Sequence, residues 1–284
     1  MVKIVSTGST LSSPEFHRKK LRARRKRLFL WGTALIIVLA TAVLLLRRDA
    51  LRIAEVKVVG NEVVTSSNVT AVVKESLSGY YFGLIPKDST LFYSSREIER
   101  ELLRRFPRFN LAEISLEGLR TLEAVVAERE PLALYCPDLI YQIEDSDSRR
   151  SNCYFLDETG FIFDSAPTFS EGVYFIYYSE VPFESPLGRE FVERDEFWEL
   201  HGFLTTLHAL GFEPISLKVG ERDLILTDSS GARLLWRRDS NFDLIRSNLE
   251  VFLNAEEIRS QPDFLKKISE LDLRTENKIF YKFK

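Results

Sequence analysis

At 284 residues, 45% apolar and 12% aromatic, with ordinary Gly and Pro content, the chain carries enough apolar mass for one or two packed cores, which excludes a fibrous or wholly disordered protein. The net charge of −3 hides a division: residues 1 to 48 hold 11 Lys/Arg against one acid, and the remainder holds 28 bases against 41 acids. One end is near +10 and the rest near −13.

Residues 1 to 17 lack apolar periodicity and read as a short cytoplasmic tail, which continues to residue 27 through "RKKLRARRKR", eight bases in ten residues. Leu28 to Leu46 then gives 19 uncharged residues, enough as a helix to cross about 30 Å of hydrocarbon, with Trp31 suited to the interface. A nucleic-acid patch competes for the basic block, but its place directly before an apolar 19-mer makes it topological and lipid-facing. The positive-inside rule puts the N-terminus in the cytoplasm and the chain from about residue 50 outside. A cleaved secretory signal is the alternative, with a small-residue site at Ala40 to Ala42; the four apolar residues and two arginines that follow suit an uncleaved anchor better.

After the span, "IAEVKVVGNEVV" predicts a strand closed by a turn at Gly60-Asn61. "SSNVTAVVKESL" places Val69, Val72, Val73 and Leu77 at helical spacing, with Ser66 or Ser67 as N-cap. Gly79 to Tyr93 reads as an aromatic-rich loop, a hydrophobic lid in preference to a partner site. A second helix opens at Ser94 with the capping box "SSRE", carries Ile98, Leu102 and Phe106 as a stripe, and stops before Pro107. Two alternating strands follow, through Ala112, Ile114 and Leu116 and then Leu122, Ala124 and Val126. Three strands with two helices on one face make a small α+β layer spanning 51–130.

A second module covers 131–284. "CYFLDETGFIF" predicts strand, turn and strand; a helix runs from about Glu190 to Leu210, with Phe191, Phe197, Leu200, Leu204 and Leu207 as its apolar face. Three strands turn at Gly220 and at Ser230-Gly231. A helix over about Phe242 to Ile258 offers Leu249, Phe252 and Leu253 to the core, and strands near "SELDLR" and "KIFYKF" follow. In the last strand Ile279, Tyr281 and Phe283 alternate with Lys278, Lys282 and Lys284.

The two cysteines, Cys136 and Cys153, both fall on the outer side, where disulfides persist. They flank 16 residues between two predicted strands that pair as a hairpin, so a bond is the favoured reading and two free thiols the other.

Nothing in the chain forms a catalytic constellation. His17 is cytoplasmic, and His201 and His208 lie seven residues apart without the one-turn spacing of a zinc pair or a third ligand. Asp145, Asp147, Asp157 and Asp164 fall in loop and turn contexts that explain them better than glycan chemistry does. There is no nucleophile elbow, Walker loop or dinucleotide fingerprint, so the expectation is a protein without catalytic residues, cofactor or metal.

The succession of an N-in anchor, "VKVVGN", a strand-helix-helix-strand-strand unit ending "AEREPLA", then "YFLDETGFIF" and "DLRTENKIFYK" resembles the FtsQ/DivIB family of bacterial cell-division proteins from Leu28 to Lys284. The resemblance implies a POTRA domain over 51–130, a β domain over 131–284, and a divisome scaffold in the cytoplasmic membrane that joins FtsB/FtsL-like bitopic proteins at the septum. It also implies that the last strand receives the FtsB-like partner as an added strand. Carried onto this chain, that makes Arg274 a candidate ion-pair donor and Thr275, Asn277, Lys278, Ile279, Phe280, Tyr281, Lys282 and Phe283 the docking segment, with an acidic partner strand matching the lysines. The POTRA domain is expected to meet other division proteins. The cysteines depart from the family pattern and read as a local staple. Another membrane-anchored POTRA interaction protein, or an extracytoplasmic sensor, is the alternative.

Overall fold

The computed structural model describes residues 14–137, 153–170, 172–261, 263–276 and 278–284. Its first element is a 33-residue helix, α1 (Pro14–Leu46), within which residues 24–46 are long and apolar enough to cross a membrane. The helix begins fourteen residues before the apolar stretch, so the basic segment expected as a tail is helical from residue 14. Pro14 suits a first turn, where its missing N–H has no intrahelical acceptor, and the Lys, Arg and Leu behind it are good helix formers.

The chain divides into two compact units, residues 1–102 with 113–125, and residues 103–112 with 126–284. The first contains β1 (Glu55–Val59), α2 (Ser66–Ser76), β2 (Tyr80–Tyr81), β3 (Ile85–Pro86) and most of α3 (Ser95–Arg105). Strands β4 (Phe109–Glu117) and β5 (Thr121–Glu128) complete a sheet of order β1-β5-β4, with β1 parallel to β5 in the register Val56↔Leu122 and Val58↔Ala124. The helical periodicities deliver what they predict: α2 buries Val69, Val72 and Val73, and α3 buries Ile98 and Leu102. Three details differ. The N-cap of α2 is Thr65, one residue early; Phe106 lies past the end of α3, because the residue before a proline disfavours helical backbone; and the expected loop folds its tip into the β2–β3 hairpin.

The second unit is a ten-stranded sheet of order β10-β8-β7-β6-β9-β11-β12-β13-β14-β15. Its strands are β6 (Ala133–Tyr135), β7 (Tyr154–Leu156), β8 (Phe161–Ser165), β9 (Ile176–Ser179), β10 (Arg189–Glu190), β11 (Pro214–Val219), β12 (Asp223–Asp228), β13 (Arg233–Arg237), β14 (Ile268–Thr275) and β15 (Lys278–Phe283). Helices α4 (Arg194–Ala209), α5 (Phe242–Asn254), α6 (Glu256–Arg259) and α7 (Phe264–Lys267) are interspersed. The main core joins Phe197, Leu200 and Leu207 of α4 and Leu249 of α5 to Leu224, Leu226, Trp236 and Leu271 of the sheet. A smaller cluster gathers Leu134, Cys136, Phe155, Phe163 and Tyr178.

The structure differs from expectation at two places here, and the favoured disulfide is formed. Strands β9 and β10 were not expected, and Glu190, assigned to a helix start, pairs with Phe161 of β8 instead; Phe191 is still buried, but ahead of α4. The single helix expected to Ile258 breaks at Ala255, whose ψ of 136° is extended. Cys136 and Cys153 are bonded, with Cα atoms 4.3 Å apart across the β6–β7 pair; of the 16 residues between them, 138–152, which hold Asp145 and Asp147, lie outside the described residues.

Candidate functional site

The terminal hairpin is built from β14 and β15. β14 runs parallel to β13 on one side and antiparallel to β15 on the other, which leaves β15 at the margin of the sheet. The opposite margin, β10, is two residues long, too short to template another strand, whereas β15 offers six. In the three-stranded sheet β4 is also marginal, but the Ile114 N–H there donates to Glu99 Oε1 at 3.0 Å, a side chain of α3 occupying part of that edge.

Alternation along β15 separates two surfaces. Ile279 packs against the main core, and the rings of Tyr281 and Phe283 join Phe252 of α5 and Phe264 of α7 in a cluster with centroids 5.4 to 5.9 Å apart. Lys278, Phe280 and Lys282 alternate onto the other face, where Phe280 is 56% exposed. Lys282 stands opposite Glu270, and Glu270 opposite Arg233, with Arg233 Nη2 and Glu270 Oε2 2.6 Å apart, so charges alternate in sign across three strands.

Arg274 is placed differently from a free donor. Its Nε and Nη2 donate to Oδ1 and Oδ2 of Asp272 at 2.9 and 2.6 Å, and Nη1 reaches Asp223 Oδ2 at 3.4 Å. The fork holds the Asp272 carboxyl below its ordinary range and raises the guanidinium further, chiefly through these hydrogen bonds. Thr275 pairs with Lys278 at the turn, Glu276 accepts from Asn248 Nδ2 at 2.6 Å, and Asn277 lies outside the described residues. Lys284 is committed internally, its Nζ donating to the carbonyls of Ser230 and Lys266 at 2.6 and 2.7 Å. Lys278 and Lys282 lie within β15 on the face that carries Phe280.

Beside the turn opens a groove of about 590 Å³, lined by Arg237, Asn241, Leu244 and Asn248 together with Arg274, Thr275 and Ile279. Its α5 wall was invisible in the sequence, because nothing local in "NFDLIRSN" says that this helix flanks the last hairpin. Asn241 caps α5, its side chain accepting from the Leu244 N–H at 3.0 Å.

The carboxylates singled out in the turns are occupied. Asp157 receives Arg129 on Oδ2 and, on Oδ1, the N–H of Thr159, the hydroxyl of Thr159 and the N–H of Phe161 at 2.8, 2.7 and 3.0 Å. Asp164 pairs with Arg108 at 2.6 Å, and Arg108 also holds Glu128 at 2.8 Å. Each acid is thus neutralised by an arginine and positioned for structure. His201 stacks on Phe197, and its Nδ1 lies 3.3 Å from the Tyr177 hydroxyl; burial lowers the imidazole and pushes the phenol up. His208 is exposed on the same helix. Among the described residues no group of three His, Cys, Asp or Glu side chains could hold a metal ion.

The chain matches no family model and no curated protein, so the residues themselves carry the reading of this site.

Proposed function

We propose that this protein is a non-catalytic, single-pass membrane scaffold of the bacterial divisome, of the FtsQ/DivIB type, which binds FtsB/FtsL-like bitopic proteins through β15. In this reading α1 spans the cytoplasmic membrane with its basic end inside, residues 51–130 form a POTRA domain that meets other division proteins, and the protein acts at the septum in support of cell-wall synthesis. The observation that carries the proposal is the edge: β15 is a six-residue marginal strand whose outer face presents Lys278, Phe280 and Lys282. An added strand gains affinity from backbone hydrogen bonds and selectivity from alternate side chains. Two ammonium groups flanking one phenyl ring favour a strand with an acid, an apolar residue and an acid at alternate positions. The arginine pairing of Asp157 and Asp164 supports a scaffold over a glycan hydrolase, since each of these carboxylates is held in an ion pair.

Co-purification with the host's FtsB-like protein tests this. The chain truncated after Leu273 and the Phe280→Asp variant should both lose the partner while wild type retains it, and Phe280→Asp should lose only the few tenths of a kcal/mol of stability that a carboxylate opposite Asp272 costs. Equal recovery with wild type and both variants would sink the docking-strand reading.

A further inference from the structure

The β2–β3 hairpin breaks two local rules at one residue. Its turn is Tyr81-Phe82-Gly83-Leu84, closed by the Leu84 N–H donating to the Tyr81 carbonyl at 3.1 Å. Both central residues have positive φ, +51° at Phe82 and +70° at Gly83. Such a turn favours Asn or Asp before the glycine, because a short polar side chain tolerates left-handed backbone and a bulky ring does not. Phe82 is also 97% exposed, a whole phenyl ring presented outward at a hairpin tip, with Tyr80 and Leu84 exposed beside it. Departures from local preference of this kind concentrate where a surface has a task.

What the tip faces follows from how it is tethered. Arg47, the residue after the last of α1, donates from Nε and Nη2 to the Leu84 carbonyl at 3.4 and 3.3 Å and lies over the Tyr80 ring at 5.7 Å. The chain leaving α1 is bonded to the chain leaving the hairpin. The Thr90 N–H donates to Leu51 O at 3.0 Å, the Ile53 N–H to Asp88 O at 2.8 Å, and Arg52 and Asp88 form a two-point ion pair with the closest atoms 2.6 Å apart. The tip is therefore held within one arginine side chain of the residue that ends the apolar span.

We propose that this hairpin is a second membrane contact, in which Phe82 and Leu84 insert into the headgroup region of the leaflet from which α1 emerges, with Tyr80 at the interface. The level of the bilayer is set by Leu46, and amphipathic rings and arginines at that depth are the side chains an interface selects. Arg47 and Arg48 supply the cations for lipid phosphates. Two attachment points, one spanning and one superficial, restrict the rotation of the first unit about the α1 axis, which a single helix leaves free. The inference rests on α1 being a membrane span, and on nothing else in the proposed function.

The native cysteines are bonded, so an introduced cysteine is the one free thiol for labelling. The full chain, reconstituted in vesicles of phosphatidylethanolamine and phosphatidylglycerol, is labelled with an environment-sensitive fluorophore at Phe82→Cys or Leu84→Cys. Leu35→Cys, inside the span, and Val63→Cys, beyond the far end of β1, serve as references. Spin-labelled lipid should quench the Phe82 and Leu84 labels several-fold more than the Val63 label, and Phe82→Asp should reduce quenching at Leu84. Quenching at Leu35 with both hairpin labels no more quenched than Val63 overturns the hairpin contact alone; an unquenched Leu35 overturns the span and this contact with it.

Discussion

Arg129 and Asp157 form a buried ion pair in which the arginine of "AEREPLA" closes the turn of "LDETGF". Asp157 is 4% exposed. Arg129 also lies over the Phe161 ring at 4.3 Å and donates from Nε to the Pro107 carbonyl at 3.1 Å, so its guanidinium is held on three sides. Two short motifs that are each weak in the sequence are thus one structural joint.

Arg129→Met strips the counter-charge from a carboxylate that is almost fully buried. Breaking a buried pair on one side costs roughly 3–5 kcal/mol, and the three donors that remain on Asp157 Oδ1 favour the lower end, about 3 kcal/mol. The double variant Arg129→Met, Asp157→Asn should recover part of that loss. Urea unfolding of the four chains of the cycle measures the coupling, and strict additivity would show that the pair contributes no mutual stabilisation.

Gly160 completes the same turn for a second reason. Its φ is +77°, and an added Cβ would come within 2.6 Å of the Phe197 ring, a core side chain of α4. Gly160→Ala should cost more than about 2 kcal/mol, combining backbone strain with overpacking. Gly172→Ala isolates the first effect: φ is +81° with nothing within 4 Å, and about 1 kcal/mol is expected. Equal losses at the two sites would mean that the Phe197 contact is relieved without cost.

His201 sets a pH dependence. Burial lowers its folded pKa below the unfolded value near 6.5, so the unfolded chain binds more protons across the window just below neutrality. Stability is complete above pH 6.5 and falls as pH drops below it. His201→Asn should flatten that part of the profile, with urea midpoints at pH 7.5 and 5.5 as the measurement.

The disulfide closes a loop whose ends are 17 residues apart in sequence, for which the chain-entropy estimate is about 3 kcal/mol. Reduction of the folded protein should lower the urea midpoint accordingly, and the Cys136→Ala, Cys153→Ala chain should be insensitive to reductant.

Periodicity made the helices around Val69 and Ile98 legible, along with the β11–β13 meander, because each buries one face and carries its own turn or cap. Strand β9 escaped it: "IYYS" has Tyr177 and Tyr178 buried on opposite faces, so no alternation marks it. The helix expected from about Glu190 starts at Arg194, because the Glu190 backbone is taken by β8, a pairing that only tertiary structure reveals. The alternation of β15 was plain, but not that Arg274 would be committed to Asp272 and Asp223, since Asp223 lies 51 residues away. The Gly79–Tyr93 segment was legible as aromatic and reads as a packed lid, whereas Tyr80, Phe82 and Leu84 are exposed, since composition cannot separate a packed ring from a presented one.

The two faces of β15 should separate stability from binding. Tyr281→Ala removes the ring that touches Phe252, Phe264 and Phe283, and at 44% exposure the loss should be about 1–2 kcal/mol. Phe280→Ala lies on the other face, above Asp272 in the register, and should change the urea midpoint by less than about 0.5 kcal/mol. Charge reversal at Lys278 and Lys282 should likewise leave the fold intact, apart from an unfavourable Lys282→Glu approach to Glu270 of a few tenths of a kcal/mol. If β15 receives an acidic strand, partner recovery ranks in the opposite order: Phe280→Ala and the double reversal lose it, and Tyr281→Ala retains it at temperatures where the variant is folded. Loss of partner in proportion to loss of stability across all three variants would place the interaction elsewhere on the molecule.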